Sequence, residues 1–179
     1  MGHGPKGKFM NNPYQPSAEE LEQLLRSGAI KLERTAGIST WEMLPSSRHQ
    51  MIIDQIRATL KPNGAAPHPC GCHHLADVAI RFPDGSLKRP DIAIFCAPPP
   101  MQDSALTLLP VAVIEVLSLG YEYKDVTLNP PFYLGHQIMD VVVVDPHAQR
   151  VTHYTPTGTQ TQPTPTSLQL RCGCFCQVP

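Results

Sequence analysis

The sequence has little net charge, few aromatic residues and no long apolar run. Its 179 residues carry a formal net charge of −1, and only 6% of them are aromatic. A broad basic face of the kind that binds duplex DNA tightly is therefore not expected, which leaves a local patch or a metal-bridged contact. No apolar run approaches the roughly 20 residues that span a bilayer, so we expect no membrane partner.

The N-terminus also lacks the apolar segment of a secretory signal peptide. Residues 1–16 are rich in glycine, proline and asparagine, and we expect a flexible tail there and a cytoplasmic protein. In a reducing compartment, the six cysteines are expected to be thiols or metal ligands rather than disulfides.

The rest of the sequence predicts one domain of mixed helices and strands. A capping box at Ser17 begins a helix that ends near Gly28, and a second helix begins at Ser46 or Ser47. Predicted strands cover 30–33, 39–44, 75–82, a run ending at 95, 109–117, 138–144 and 150–154. This order predicts an α+β (α/β-like) fold with a mixed central sheet flanked by helices.

The C-terminal part of the sequence changes in composition. The Thr/Pro/Gln stretch from 155 to 167 is typical of a loop or linker, and 168–178 is predicted to be a last strand. We therefore expect a domain over residues 17–155, with 156–179 forming a linker and a strand that packs on the same domain.

Two acids, Asp91 and Glu115, stand at the ends of apolar strands. Asp91 opens one predicted strand and Glu115 closes the apolar part of the next. A buried carboxylate is costly unless it is paired, and two from neighbouring strands could share Mg²⁺, a geometry suited to phosphodiester hydrolysis. A structural interpretation is also open: Asp91 as a turn residue that accepts backbone bonds, and Glu115 as a partner of Lys88 or Arg89.

The ordered set of motifs resembles the Uma2 family of restriction endonucleases, within the PD-(D/E)XK nuclease superfamily. The matching pieces, over roughly residues 30–155, are Glu33, Gly37, the segment from Met43 to His49, Pro90-Asp91, Glu115-Val116-Leu117-Ser118, Asp125, Tyr133 and Val144-Asp145-Pro146. The resemblance implies a restriction-endonuclease-like αβββαβ core, a DNA substrate and a homodimer. It also implies Asp91 and Glu115 as ligands of Mg²⁺ (or Mn²⁺) and Glu33 as a third acid.

The resemblance further implies a lysine four residues after Asp125, which would position the attacking water or stabilise the phosphate. This sequence has Asn129 there, followed by two prolines, a pattern that predicts an N-cap and the start of a helix. Lys124 is the nearest cation, either as the displaced catalytic lysine or as a solvated surface residue. Asp125 is either a site residue or an acid that favours the helix dipole.

Two functions remain open from these residues. One is a Mg²⁺-dependent DNA endonuclease that uses Asp91, Glu115, Lys124 and Glu33. The other is a catalytically impaired nuclease fold that binds nucleic acid or forms a homodimeric interaction module. Each of three other residues also has a structural alternative. Glu33 is then an exposed strand residue, Tyr133 a core residue, and His49 an exposed or hydrogen-bonded residue of a helix.

Two cysteine clusters lie outside this pattern, Cys70-Gly71-Cys72 and Cys172-Gly173-Cys174-Phe175-Cys176. Zinc knuckles normally space their cysteines by two to four residues, so a one-residue gap is tighter than usual. Cys70, Cys72, Cys172 and Cys174 are therefore weaker zinc candidates, and the alternative is a set of reduced thiols on neighbouring strands.

Overall fold

The computed structural model describes residues 30–35, 37–43, 45–65, 70–118 and 124–179. The predicted tail over 1–16 and the helix from Ser17 lie outside these residues. The strands are β1 (Ile30–Thr35), β2 (Ile38–Met43), β3 (Lys61–Pro62), β4 (His73–Ala76), β5 (Ile80–Arg81), β6 (Leu87–Lys88), β7 (Ile92–Phe95), β8 (Ala112–Val116), β9 (Asp140–Asp145), β10 (Arg150–Thr155), β11 (Gly158–Pro163), β12 (Thr166–Gln169) and β13 (Cys174–Val178). The helices are α1 (Ser47–Thr59) and α2 (Asn129–Gly135), and a π-helical turn (Lys124–Leu128) leads directly into α2.

A six-stranded sheet in the order β11-β10-β9-β8-β7-β4 forms the centre of the fold. Strands β8 and β9 run parallel and their neighbours pair antiparallel. A parallel pair needs a crossover, and α2 supplies it between β8 and β9. In chain order, α1, β4, β7, β8, α2 and β9 make the αβββαβ core, so the predicted α+β fold with a mixed sheet is confirmed.

The central strands are buried on both faces because their alternate side chains enter two different cores. Ile114, Val116, Val142 and Val144 join Ile53 and Ile56 of α1 in one cluster, while Val113, Val141, Ala93 and Phe95 join Tyr133 of α2 in the other. Helix α1 begins where the sequence predicts, since the Ser46 hydroxyl accepts a bond from the His49 amide at 3.3 Å.

A second sheet, in the order β2-β1-β6-β5, carries side chains towards the ends of β7 and β8. The single strand predicted over 75–82 is wrong in detail, because Asp77 has a positive φ of 50° and ends β4 before β5 begins. The chain therefore turns out of the central sheet and enters the second one.

The C-terminal region is strand where the composition predicted a linker. Strand β11 pairs antiparallel with β10; Arg150 is opposite Pro163 at one end of the ladder and Thr155 is opposite Gly158 at the other. Strands β12, β13 and β3 form a third sheet. Alternating Thr and Gln residues explain the difference, because β-branched threonines suit a strand and a polar strand suits an exposed sheet edge. Within the described ranges, no helix has the length and apolar character needed to cross a membrane.

Candidate functional site

Four carboxylates and three lysines form one connected network at the ends of β7 and β8. The acids are Glu33, Asp91, Glu115 and Asp125, and the lysines are Lys31, Lys88 and Lys124. They come from β1, β6, β8, the π-helical turn and the residue before β7. The network thus unites the four residues predicted as catalytic with Asp125, which the sequence left open as a site residue, and with Lys88 and Lys31, of which Lys31 was not anticipated.

The strand register brings Asp91 and Glu115 together. Ile92 of β7 pairs with Ile114 of β8 in the antiparallel ladder. Asp91, which precedes Ile92, is therefore opposite Glu115, which follows Ile114. The Asp91 amide donates to Glu115 Oε2 at 3.1 Å, and the Val116 amide donates to Asp91 Oδ2 at 2.8 Å. Each carboxylate thus accepts a hydrogen bond from a backbone amide next to the other acid, which holds the two side chains close together.

Asp91 is held as a carboxylate by a cation that the sequence interpretation missed. Lys31 Nζ lies 3.1 Å from Asp91 Oδ1, and His49 Nε2 lies 3.3 Å from the same oxygen. Burial alone would raise the pKa of Asp91, but Lys31, His49 and the Val116 amide outweigh it and hold that pKa well below its usual range. Burial likewise favours neutral Lys31, yet the nearby carboxylates raise the pKa of its ammonium.

Glu115 lies deeper, at 1% exposure. Its Oε1 accepts bonds from Tyr133 Oη at 3.0 Å and Asn129 Nδ2 at 3.2 Å. Burial, then the negative charges of Asp125 and Asp91, raise the pKa of Glu115 well above its usual value. The structural alternative named Lys88 or Arg89 as a partner of Glu115. Lys88 donates its hydrogen bond to Asn129 and interacts with Glu115 through charge, whereas Arg89 bonds Asp77.

Glu33 is buried rather than exposed, so the surface interpretation of this acid is wrong. Its Oε1 accepts the Arg89 amide at 2.7 Å, while Oε2 has no hydrogen bond and lies 3.3 Å from Lys124 Nζ and 3.6 Å from Lys88 Nζ. Burial opposes ionisation, but these lysines lower the pKa of Glu33 below its usual value. Glu33 is therefore a buried carboxylate with one oxygen still able to accept.

Lys124 and Asn129 both differ from their sequence interpretations. Lys124 is not a solvated surface residue, because its ammonium is buried between Glu33 and Asp125, 3.4 Å from the latter. Helix α2 does begin at Asn129, but the residue at the N-cap is Leu128, without a side-chain cap. Asn129 instead accepts from Lys88 Nζ at 2.6 Å and donates to Asp125 Oδ1 at 2.9 Å.

Two further residues support the acids. Tyr133 lies in the core as expected, and its hydroxyl also reaches Glu115. His49 is buried, and its two ring nitrogens contact Asp91 Oδ1 and Ser118 Oγ, the latter at 3.1 Å. His49 therefore fixes the orientation of Asp91 from the side of α1.

The donor set fits a hard divalent cation. The described residues of the network include four acids and three lysines, and a bound cation would favour the ionised form of Glu115, whose pKa is raised. Glu33 Oε2 accepts no hydrogen bond, although the ammonium groups of Lys124 and Lys88 lie near it. Oxygen ligands of this kind suit Mg²⁺ or Mn²⁺. The side of the network nearest solvent is formed by Lys31, whose side chain is 13% exposed, and by Asp91 and Lys124, each at 9%.

One missed residue had a visible sequence signal. Lys31 and Glu33 are two apart on β1, so strand periodicity places both on one face. The contact between Lys88 and Asn129 depends on where β6 lies relative to α2, which cannot be predicted from a local sequence pattern.

The zinc candidates are arranged differently from the sequence interpretation. Cys70 bonds to Cys96 and Cys72 to Cys174, so the expectation that the cysteines are not disulfides is wrong for these four. Cys172 lies apart from them, buried, with its amide bonded to Asp140 Oδ2 at 2.9 Å. The sulfurs of Cys70, Cys72 and Cys174 lie within 4.8 Å of one another.

Comparison with known proteins agrees with this architecture. The sequence model of the Uma2 family, described as "Putative restriction endonuclease", matches residues 18–171. The fold is similar to a crystal structure titled as a putative nuclease of DUF820 from Anabaena variabilis, with a TM-score of 0.58, 19% identity, and coverage of 82% of this chain and 84% of that one. Among curated proteins, none matches the sequence.

Proposed function

The chain belongs to the Uma2 family, and from this premise we propose that it is a metal-dependent endonuclease that hydrolyses phosphodiester bonds in DNA. The observation that carries the proposal is the pairing of Asp91 and Glu115 across adjacent strands, inside a buried network of four acids and three lysines. Buried ion pairs seldom repay their desolvation, so this network is weak evidence for stability, and titratable groups with perturbed pKa values cluster at functional sites.

Asp91 and Glu115 would hold Mg²⁺ or Mn²⁺, with Glu33 as a third acid through Oε2, which accepts no hydrogen bond but forms an ion pair with Lys124. The bound ion would supply a Lewis acid for the phosphate and lower the pKa of an attacking water. Asn129 and Tyr133 orient Glu115 through its Oε1, while Lys31 and His49 hold Asp91 through its Oδ1.

Lys124 and Lys31 are the cations available to a phosphate, since both face the accessible side of the network. Either ammonium can balance the negative charge that develops on the phosphate in the transition state. We assign this role first to Lys124, which lies between Glu33 and Asp125, and regard Lys31 as the residue that keeps Asp91 ionised.

The test is a cleavage assay on supercoiled plasmid and on single- and double-stranded oligonucleotides, with Mg²⁺ or Mn²⁺. We expect metal-dependent cleavage that Asp91→Asn and Glu115→Gln abolish. Asp54→Asn is the matched control, because Asp54 is a carboxylate of α1 whose side chain is 73% exposed. Cleavage that survives both site variants would contradict the assignment.

A second candidate is a nuclease fold without catalysis that binds nucleic acid. It is favoured by Asn129 at the position of the expected lysine, and by protein donors on every oxygen of Asp91 and Glu115. This candidate predicts DNA retardation in a gel with chelator present and no cleavage with any metal.

The proposal includes a homodimer and a nuclease domain over residues 17–155 with 156–179 packed on it. Sedimentation of the full chain at several concentrations tests the dimer, and a monomer at tens of micromolar would contradict it.

A further inference from the structure

We propose that Cys70, Cys72, Cys96 and Cys174 form a tetrathiolate site for Zn²⁺ when the protein is reduced. The site lies at the edge of the central sheet, away from the carboxylate network. Cys70 and Cys72 precede β4, Cys96 follows β7, and Cys174 begins β13 of the third sheet. An ion held there would tie the two sheets together.

Proximity is the first argument. Zn–S distances of about 2.3 Å in a tetrahedron put neighbouring sulfurs roughly 3.8 Å apart. The sulfurs of Cys70, Cys72 and Cys174 already lie within 4.8 Å of one another, and Cys96 is bonded to Cys70. When a disulfide is reduced, its sulfurs separate from about 2.05 Å to ordinary non-bonded contact, which is close to the spacing that zinc needs.

Burial and local backbone geometry are the second argument. Cys70, Cys72 and Cys174 are at most 4% exposed. Gly71 holds the loop against Cys96, since its amide donates to the Cys96 carbonyl at 3.1 Å and an added Cβ would lie 2.7 Å from that oxygen. The close approach therefore requires glycine between the two cysteines, and it keeps Cys96 beside them.

The structure also changes the ligand set that the sequence predicted. Cys96 takes the place of Cys172, because the sulfur of Cys96 is bonded to that of Cys70, whereas Cys172 is bonded to no other cysteine and its amide donates to Asp140. Cys176 is likewise an unpaired buried cysteine outside the cluster. These two residues provide internal controls of the same residue type.

The reduction needs an added phosphine and water. For each disulfide, the phosphine gives up two electrons and takes the oxygen of one water molecule to become a phosphine oxide, and the two protons of that water go to the two thiols. Zn²⁺ then displaces the thiol protons into solvent as the thiolates bind. The site would be sulfur-rich and four-coordinate, with three buried ligands and with Cys96 on its exposed side. A full set of four thiolates leaves no open position for a substrate, so the site would be structural rather than catalytic.

The test uses the full chain, purified with a phosphine reductant and without chelators. Elemental analysis should find about one zinc per chain in the wild type and in Cys176→Ser, and less than about a tenth of that in Cys174→Ser. Cys176 is the matched control, since it lies on the same strand and is also buried. Equal zinc content in the two variants would overturn the proposal.

A second measurement protects against a variant that fails to fold. Co²⁺ added to the reduced wild type should give the intense visible bands of a tetrahedral thiolate site, and one equivalent of Zn²⁺ should remove them. A folded, fully reduced wild type that gives no such bands and retains no zinc overturns the proposal. Neither result depends on nuclease activity.

Discussion

Asn129→Lys would restore the lysine that the Uma2 resemblance implies, and we expect it to destabilise the protein. Asn129 is fully buried and lies between a cation and two acids. Its Oδ1 is 2.6 Å from Lys88 Nζ, and its Nδ2 reaches Asp125 and Glu115. A lysine introduced here would meet an ammonium that already occupies the position.

The size of the effect follows from Coulomb's law. Two ammonium groups about 4 Å apart repel by about 4 kcal/mol at an effective dielectric constant of about 20. Asp125 offsets part of this repulsion, whereas Glu115, whose pKa is raised, offsets little. We therefore expect Asn129→Lys to lower the free energy of unfolding by roughly 2–3 kcal/mol, a large part of the 5–15 kcal/mol typical of a domain.

The assay is a double-mutant cycle in urea with Asn129→Lys, Lys88→Met and the double variant. Removing the Lys88 ammonium should relieve the repulsion, so the cycle should give a coupling energy of about 3–4 kcal/mol. Asn129→Met controls for side-chain length without charge. A coupling energy below about 0.5 kcal/mol would refute the placement of Lys88 beside Asn129.

Further predictions concern groups outside the acid pair. Asp140 is buried and accepts hydrogen bonds from His153 Nε2 and from the backbone amides of Arg171 and Cys172. Asp140→Asn should lower the free energy of unfolding in urea by about 2–4 kcal/mol, because the new side-chain NH₂ group must face one of these donors. An unchanged urea midpoint would contradict this. Burial, with Asp140 as the next cause, raises the pKa of Cys172 and of Cys176 to about 12. At pH 8 these thiols should react with an aromatic disulfide at least about 10³-fold more slowly in the native than in the unfolded reduced protein, and rapid native labelling would contradict their burial. Their folded pKa exceeds the usual 9.0, so the free energy of unfolding should fall as pH rises from 9.0 towards about 12. Urea midpoints of the reduced Cys172→Ala/Cys176→Ala variant should lose part of that pH dependence.

The sequence predicted the parts of the fold that depend on local patterns. Strands β1, β2, β8, β9 and β10 and helix α1 follow from apolar runs, turns and a capping serine, and the family motifs identify the αβββαβ order. The Asp91–Glu115 contact follows from the antiparallel register once both strands are identified.

The remaining features depend on tertiary contacts. Asn129 before proline has the local pattern of an N-cap. The π-helical turn, however, leads directly into α2, so the Asn129 side chain does not cap the helix and instead binds Lys88. Strand β11 forms because its alternating Thr and Gln residues can pair with the edge that β10 offers, a contact that the Thr/Pro/Gln composition alone does not reveal. The cysteine pairing joins residues 102 positions apart, a separation that spacing rules do not reach.

The central claim is that Asp91 and Glu115 bind a divalent cation. Calorimetric titration of Mn²⁺ into the wild type and Glu115→Gln, both reduced and free of zinc, tests it most directly. The account predicts saturable binding in the wild type that Glu115→Gln abolishes while the variant remains folded. Identical binding in the two proteins, or no binding in the wild type, would contradict it.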